Sequence, residues 1–91
     1  MKIEHNPAAH RFLARLPEGD GVLVYRMQSK KIMNLLSTHV PQAARGRGVG
    51  GALVEAALTH ARAHQLRVIP TCWYVETWVG QHPEYRELLE E

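Results

Sequence analysis

The residues best suited to chemistry sit in two short stretches. The first is Arg45-Gly46-Arg47-Gly48-Val49-Gly50-Gly51, which opens directly into Ala52-Leu53-Val54-Glu55-Ala56-Ala57-Leu58. The first turn of a helix carries backbone N–H groups without partners, and its dipole favours negative charge. A strand ending in Pro41, a run of glycines and a helix start are therefore the parts of a phosphate cradle. Gly46, Gly48, Gly50 and Gly51 allow close approach of an oxygen-rich ligand, while Arg45 and Arg47 add charge suited to a diphosphate. The same residues also read as a tight turn feeding a helix. They lack the Lys-Ser/Thr of a nucleotide-triphosphate loop and the third glycine and downstream acidic residue of a dinucleotide site.

The second stretch is Pro70-Thr71-Cys72-Trp73-Tyr74. Cys72 is the only cysteine, so no intramolecular disulfide forms, and the residue is either a small buried hydrophobe or a reactive thiol. As a nucleophile it needs the thiolate form, which a polar or electropositive setting favours. Tyr74 is either a proton donor or an aromatic packed on the sheet. His39, in Ser37-Thr38-His39-Val40-Pro41, is either a base or a half-exposed strand histidine. Trp73 and Trp78 suit a core or a pocket wall. His60 and His64 stand four apart, a spacing that can hold zinc. With Ala61-Arg62-Ala63 between them and no third ligand, two histidines on a wet helix face is the simpler reading, and no metal is expected.

These residues need elements to position them. Arg11–Leu16 partly alternates as a half-buried strand does. Pro17-Glu18-Gly19-Asp20-Gly21 is a turn, Gly21–Met27 a second strand, Gln28–Lys31 a hairpin connection, and Ile32–Val40 a third strand stopped by Pro41. The alanine-rich helix runs from the glycines to about His64, with Leu53, Ala57 and Ala61 at helical spacing. Arg67–Pro70 reads as a fourth strand, Trp73–Gln81 as a short helix broken by His82-Pro83, and Glu84–Glu90 as a last turn or two. The order implies a mixed α/β (α+β) domain spanning residues 1–91. Its sheet is a mostly antiparallel meander with one strand–helix–strand crossover.

Composition sets the outer bounds. The 91 residues are 45% apolar and 22% charged, which excludes a disordered chain, a collagen-like chain and a disulfide scaffold. A net charge of +2 is too mild to argue for nucleic acid. Met1-Lys2-Ile3-Glu4-His5-Asn6-Pro7 has no signal-peptide core, and no stretch is apolar enough to span a bilayer. The expectation is a cytoplasmic, monomeric protein with no membrane partner.

Arg45-Gly46-Arg47-Gly48-Val49-Gly50 resembles the Q/R-x-x-G-x-G/A signature of GNAT-superfamily acyltransferases. Thr38-His39-Val40-Pro41 before it, Pro70-Thr71-Cys72-Trp73-Tyr74 after it, and His82-Pro83-Glu84-Tyr85 near the end are similar to the very small YjdJ-type branch. The resemblance covers roughly Ile32 to Leu88. It implies a minimal GNAT-like fold and an acetyl-coenzyme A dependent N-acyltransferase whose acceptor amine is unknown. By that resemblance Val40, Arg45, Gly46, Arg47, Gly48, Val49, Gly50 and Gly51 bind the coenzyme. The pantetheine arm lies between the strands at Ile32–Val40 and Arg67–Thr71. Cys72 is the catalytic candidate, joined by Tyr74 and His39. Ser37 stands where the branch often carries His, so either His39 substitutes as the base or that residue is dispensable. The rival readings are a coenzyme-binding protein without transfer and a small protein-interaction module.

Overall fold

Alternating apolar residues build a five-stranded sheet in the order β1-β2-β3-β4-β5 in the computed structural model, which describes residues 1–90. The strands are β1 (Glu4–Asn6), β2 (Arg11–Ala14), β3 (Gly21–Ser29), β4 (Ile32–His39) and β5 (Arg67–Ile69). β1 to β4 form an antiparallel meander. Helix α1 (Val49–Ala63) crosses back so that β5 joins β4 in parallel, and α2 (Trp73–Gln81) follows. A 3-10 segment, Pro83–Leu88, closes the chain. The expected α+β meander with one crossover is what forms. Among the described residues no helix is long and apolar enough to cross a membrane.

Two local features, the first strand and the length of β3, depart from the sequence reading, while Asn6-Pro7 forms the turn that its residue types imply. Glu4-His5-Asn6 has no apolar alternation, yet it pairs with Arg11–Leu13 as an edge strand. Asn6 caps a 3-10 turn at Pro7–Ala9, accepting from the Ala9 amide at 3.2 Å. β3 extends to Ser29, so only Lys30 and Lys31 separate it from β4.

The core lies on one face of the sheet. Phe12, Leu23, Tyr25, Met33 and Leu35 pack against Leu53, Val54, Ala57 and Leu58 of α1, and Val75 and Val79 of α2 belong to the same cluster. Burying each such large side chain stabilises by about 1.5–3 kcal/mol. Helix α2 sits beside α1 because two residues there have no Cβ. A Cβ on Gly50 would lie 2.8 Å from the Tyr74 hydroxyl, and one on Gly51 would lie 3.1 Å from Trp78 Nε1.

Asn34 is the one buried polar residue of the sheet. Its Nδ2 donates to Gln28 Oε1 at 2.7 Å, and its Oδ1 accepts from the Thr71 hydroxyl at 2.5 Å. A satisfied buried amide is stable, but its removal strands both partners. Asn34 thus ties β3 and β4 to the segment leaving β5.

The helical histidines join an aromatic cluster. His5 stacks on Phe12 with ring centroids 4.1 Å apart, His60 meets His5 at 4.5 Å, and His64 lies 4.2 Å from His60. His5 Nε2 is also 2.7 Å from the Tyr25 hydroxyl, which fastens β1 to the core. Burial, then the charge of His64, holds the His5 imidazole below its ordinary value of 6.5. Burial, then His5 and His64, does the same to His60.

Replacing Asn34 by Ala is expected to lower stability by about 1–3 kcal/mol, read from the urea midpoint; an unchanged midpoint contradicts this role. For His5 and His60 the folded state favours the neutral ring, so below 6.5 the unfolded chain takes up more protons. Stability is therefore complete above that pH and declines as pH falls through it towards the lowered folded values. Thermal melts across this window should show the decline, and His60→Phe should flatten it.

Candidate active site

The site begins where two parallel strands part. β4 and β5 are paired only between Ile32–Asn34 and Arg67–Ile69. One further bond, Cys72 N–H to the Leu35 carbonyl at 2.9 Å, closes the ladder. Past that point the register of β4 against β3 shifts: Tyr25 faces Leu35 but Val24 faces Ser37, leaving Leu36 as a bulge. A bulge bends and twists its strand. From Leu36 to Val40 the chain has no strand partner on the β5 side.

The glycine loop fills the other side of this opening. Gly46 and Gly48 have φ of 87° and 80°, and Gly48 caps α1 with no side-chain hydrogen bond. A left-handed residue next to a right-handed one lets successive amides point the same way, as in an anion nest. Among the described residues, the amides of 46–51 have no backbone acceptor. Beside this loop lies a cleft of about 570 Å³ lined by Thr38, His39, Val40, Arg45, Gly46, Gly48, Val49, Gly50, Cys72, Trp73 and Tyr74. That volume suits a small-molecule site.

Most of the residues singled out by sequence meet there, and two do not. Arg45 Nε donates to the Val40 carbonyl at 3.1 Å, clasping the end of β4 to the loop. Arg47 turns away and pairs with Glu18. The Glu18 carboxyl is held below its usual range, first by its own backbone amide and then by Arg47. Gly51 is not part of the cleft wall, because its bare Cα faces Trp78. Val49 contributes to the wall while its side chain is buried in the core.

Cys72 occupies the capping position of α2 and is 8% exposed. Its Sγ lies 3.6 Å from the Thr38 hydroxyl. Neighbouring residues of a strand point to opposite faces, so Thr38, opposite Leu23, shares the side of Cys72, whereas His39, opposite Val22, does not. His39 reaches the cleft from its rim. Thr38 was the residue the sequence reading passed over, and the alternation within β4 is the signal that finds it. Tyr74 leans over the first turn of α1 at Gly50. Trp73 is 74% exposed at the cleft mouth, so it is wall and not core.

The closing segment braces α2. Trp78 and His82 stack at 3.7 Å, and His82 Nδ1 lies 2.8 Å from the Trp78 carbonyl. Arg62 on α1 donates to the Glu84 carbonyl at 2.8 Å and lies 4.8 Å above the Tyr85 ring. Chemically, then, the cleft offers free amide donors, an unpaired strand edge, a thiol beside a hydroxyl and a phenol. Among the described residues no group of three or more His, Cys, Asp or Glu side chains is placed to hold a metal ion.

Residues 11–88 match the family model of the GCN5-related N-acetyl-transferases. The protein NATD1 of Bos taurus is 36% identical over 94 residues, covering 99% of this chain and 83% of that protein. The protein NATD1 of Homo sapiens is 35% identical with the same coverage of both chains. The fold is similar to the NMR solution structure of a GCN5-like protein from Staphylococcus aureus. That match has a TM-score of 0.77 at 23% identity, over 98% of this chain and 87% of that one. Ard1 from Thermoplasma volcanium is similar over 65% of this chain and 41% of its own, with a TM-score of 0.57 and 24% identity. On the extent of the family match, and with the fold in agreement, this chain belongs to the GCN5-related N-acetyltransferase family.

Proposed function

We propose that this chain transfers an acetyl group from acetyl-coenzyme A to an amine acceptor, using the cleft at the head of α1. Family and fold support acetyl transfer from an acyl-coenzyme A in general. The observation that carries the reading for this chain is a convergence. Unpaired loop amides, the open edge of β4 and the Cys72–Thr38 pair all border one cleft.

The ligand fits this donor set. Amides 46–51, with Arg45, would hold the diphosphate, as helix N-termini do for anions. The edge at Leu36–Val40 would pair with an extended arm as an added strand would. Val40 can join in although Arg45 already donates to its carbonyl, because a carbonyl oxygen has two lone pairs. Bound acetyl-coenzyme A supplies the activated thioester.

The remaining chemistry belongs to side chains. Tyr74 carries a phenolic proton beside the first turn of α1, where a departing thiolate would be met. In direct transfer, His39 at the rim accepts the proton of the incoming amine. In a covalent route, Cys72 Sγ, with the Thr38 hydroxyl beside it, attacks the thioester; its acetyl–sulfur bond breaks, coenzyme A leaves as the thiol carrying the proton Cys72 gives up, and the amine then takes the acetyl group from Cys72, which regains its thiol. A second reading, coenzyme binding without transfer, draws on one observation. Among the described residues Thr38 is the only hydrogen-bond partner of Cys72 Sγ, and no histidine or carboxylate hydrogen-bonds to it.

Acetyl-coenzyme A at a hundredfold excess over its Kd should stabilise the chain by about 2.7 kcal/mol, seen as a raised Tm. Gly48→Val, which forces a β-branched residue to a φ of 80°, should abolish that shift. No shift in the parent chain favours the interaction module instead. Cys72→Ala should keep the shift and lose about a hundredfold or more in kcat/KM towards amines. A parent chain that shows the shift but acetylates no amine and carries no acetyl label on Cys72 leaves the binding-only reading.

A further inference from the structure

One whole face of the sheet carries no helix. Contacts along α1 place α2 and the closing 3-10 segment beside it: Gly51 meets Trp78, the Tyr85 hydroxyl donates to Glu55 at 3.5 Å, and Arg62 holds Glu84. All three therefore cover the face bearing Phe12, Leu23, Tyr25 and Leu35. On the other face β3 presents Val22, Val24 and Arg26. Register sets Leu13 beside Val22 and Arg11 beside Val24, with the bulged Leu36 next to them. Leu13, Val22, Val24 and Leu36 are half-buried and stand outside the core cluster. A solvent-facing side of an antiparallel sheet normally carries polar residues at such positions.

The charges on this face are one-sided. Within the strands, Glu4 is already bound by Arg15 at 3.1 Å, and Arg67 is taken by Glu90 and the carbonyls of Glu87 and Leu89. Arg11 and Arg26 are exposed, flank the apolar positions, and have no carboxylate partner among the described residues. Complementary chemistry is thus apolar in the middle and acidic at the edges. A second copy of the same face would bring its own arginines and repel. Three strands at about 4.8 Å spacing span about 10 Å, close to the width of one helix. The patch also adjoins the cleft, since Val22 faces His39 and His39 lines the cleft mouth.

We propose that this open face docks an amphipathic helix of a protein partner, with its apolar stripe on Leu13, Val22, Val24 and Leu36 and its carboxylates on Arg11 and Arg26. A partner seated there lies next to the rim of the cleft. The docking stands independently of acetyl transfer; that the partner also presents the acceptor amine rests on the function proposed above.

The test uses the full chain, isotope-labelled, and a synthetic helical peptide with a leucine stripe flanked by glutamates. Amide shifts should move at Leu13, Val22, Val24 and Leu36. A peptide with lysines in place of the glutamates should bind about tenfold more weakly, and an Arg11→Glu, Arg26→Glu double variant should reverse the preference. Both arginines are exposed, so the variant should fold, and its melt checks this. Shifts confined to the α1 side, no shifts at all, or equal affinity for both peptides overturn the proposal. So does a stable dimer of the chain that Val24→Asp dissociates, since a second copy then owns the face. Melts with acetyl-coenzyme A on the same samples separate the two ideas. Peptide docking without a coenzyme shift sinks only the transfer reading, and a coenzyme shift without docking sinks only this one.

Discussion

Everything in this molecule that bears on chemistry follows from the parting of two parallel strands. Three registered pairs hold β4 to β5, and the bond from the Cys72 amide to the Leu35 carbonyl is the final rung. Had the ladder continued, the backbone groups of residues 36–40 would be spent within the sheet. Instead Thr38, His39 and Val40 border a cleft. Asn34 holds the branch point, since its amide group bonds to Gln28 in β3 and to Thr71 just beyond β5. The bulge at Leu36 bends the strand there, and Pro41 ends the run without a donor. The parting is thus set by specific side chains and is not slack in the sheet.

The glycine loop does two jobs within one turn. Gly46 and Gly48 adopt left-handed angles on the cleft wall, with open space where a side chain would be. Gly50 and Gly51 serve packing, because their bare Cα atoms admit Tyr74 and Trp78. That packing matters to the site. It fixes α2 against α1 and so sets both Cys72, at the cap of α2, and Tyr74, over the first helical turn. Arg45 adds a clasp between loop and strand through the Val40 carbonyl. A cleft lined by residues from β4, the loop, α1 and α2 is thereby braced from every side by contacts made for stability.

Much of this was legible in the order of residues. Turn chemistry, the alanine-rich helix and the Pro41 stop gave the element order, and the signature at Arg45–Gly50 marked a loop that lines the cleft. Edge strand β1 was not legible, because Glu4-His5-Asn6 owes its conformation to pairing with β2 and to the stacking of His5 on Phe12. The division of labour among the glycines was hidden too: spacing alone does not separate a residue that turns an amide from one that makes room for a tyrosine. Arg47 shared the motif with Arg45, yet its partner, Glu18, lies 29 residues away. Thr38 carries no motif signal of its own beside His39, and only strand alternation, which puts one of the two on the side of Cys72, distinguishes it.

The central claim is that the parted strand and the helix entrance form one binding surface. Titrating the isotope-labelled chain with coenzyme A, and following each backbone amide, tests it most directly. The account predicts that the largest shifts fall together on residues 46–51, on Leu36–Val40 and on Cys72, saturating with a single constant. Shifts on the loop alone, with the β4 edge and Cys72 unmoved, or no saturable shift at any of these amides, would contradict it.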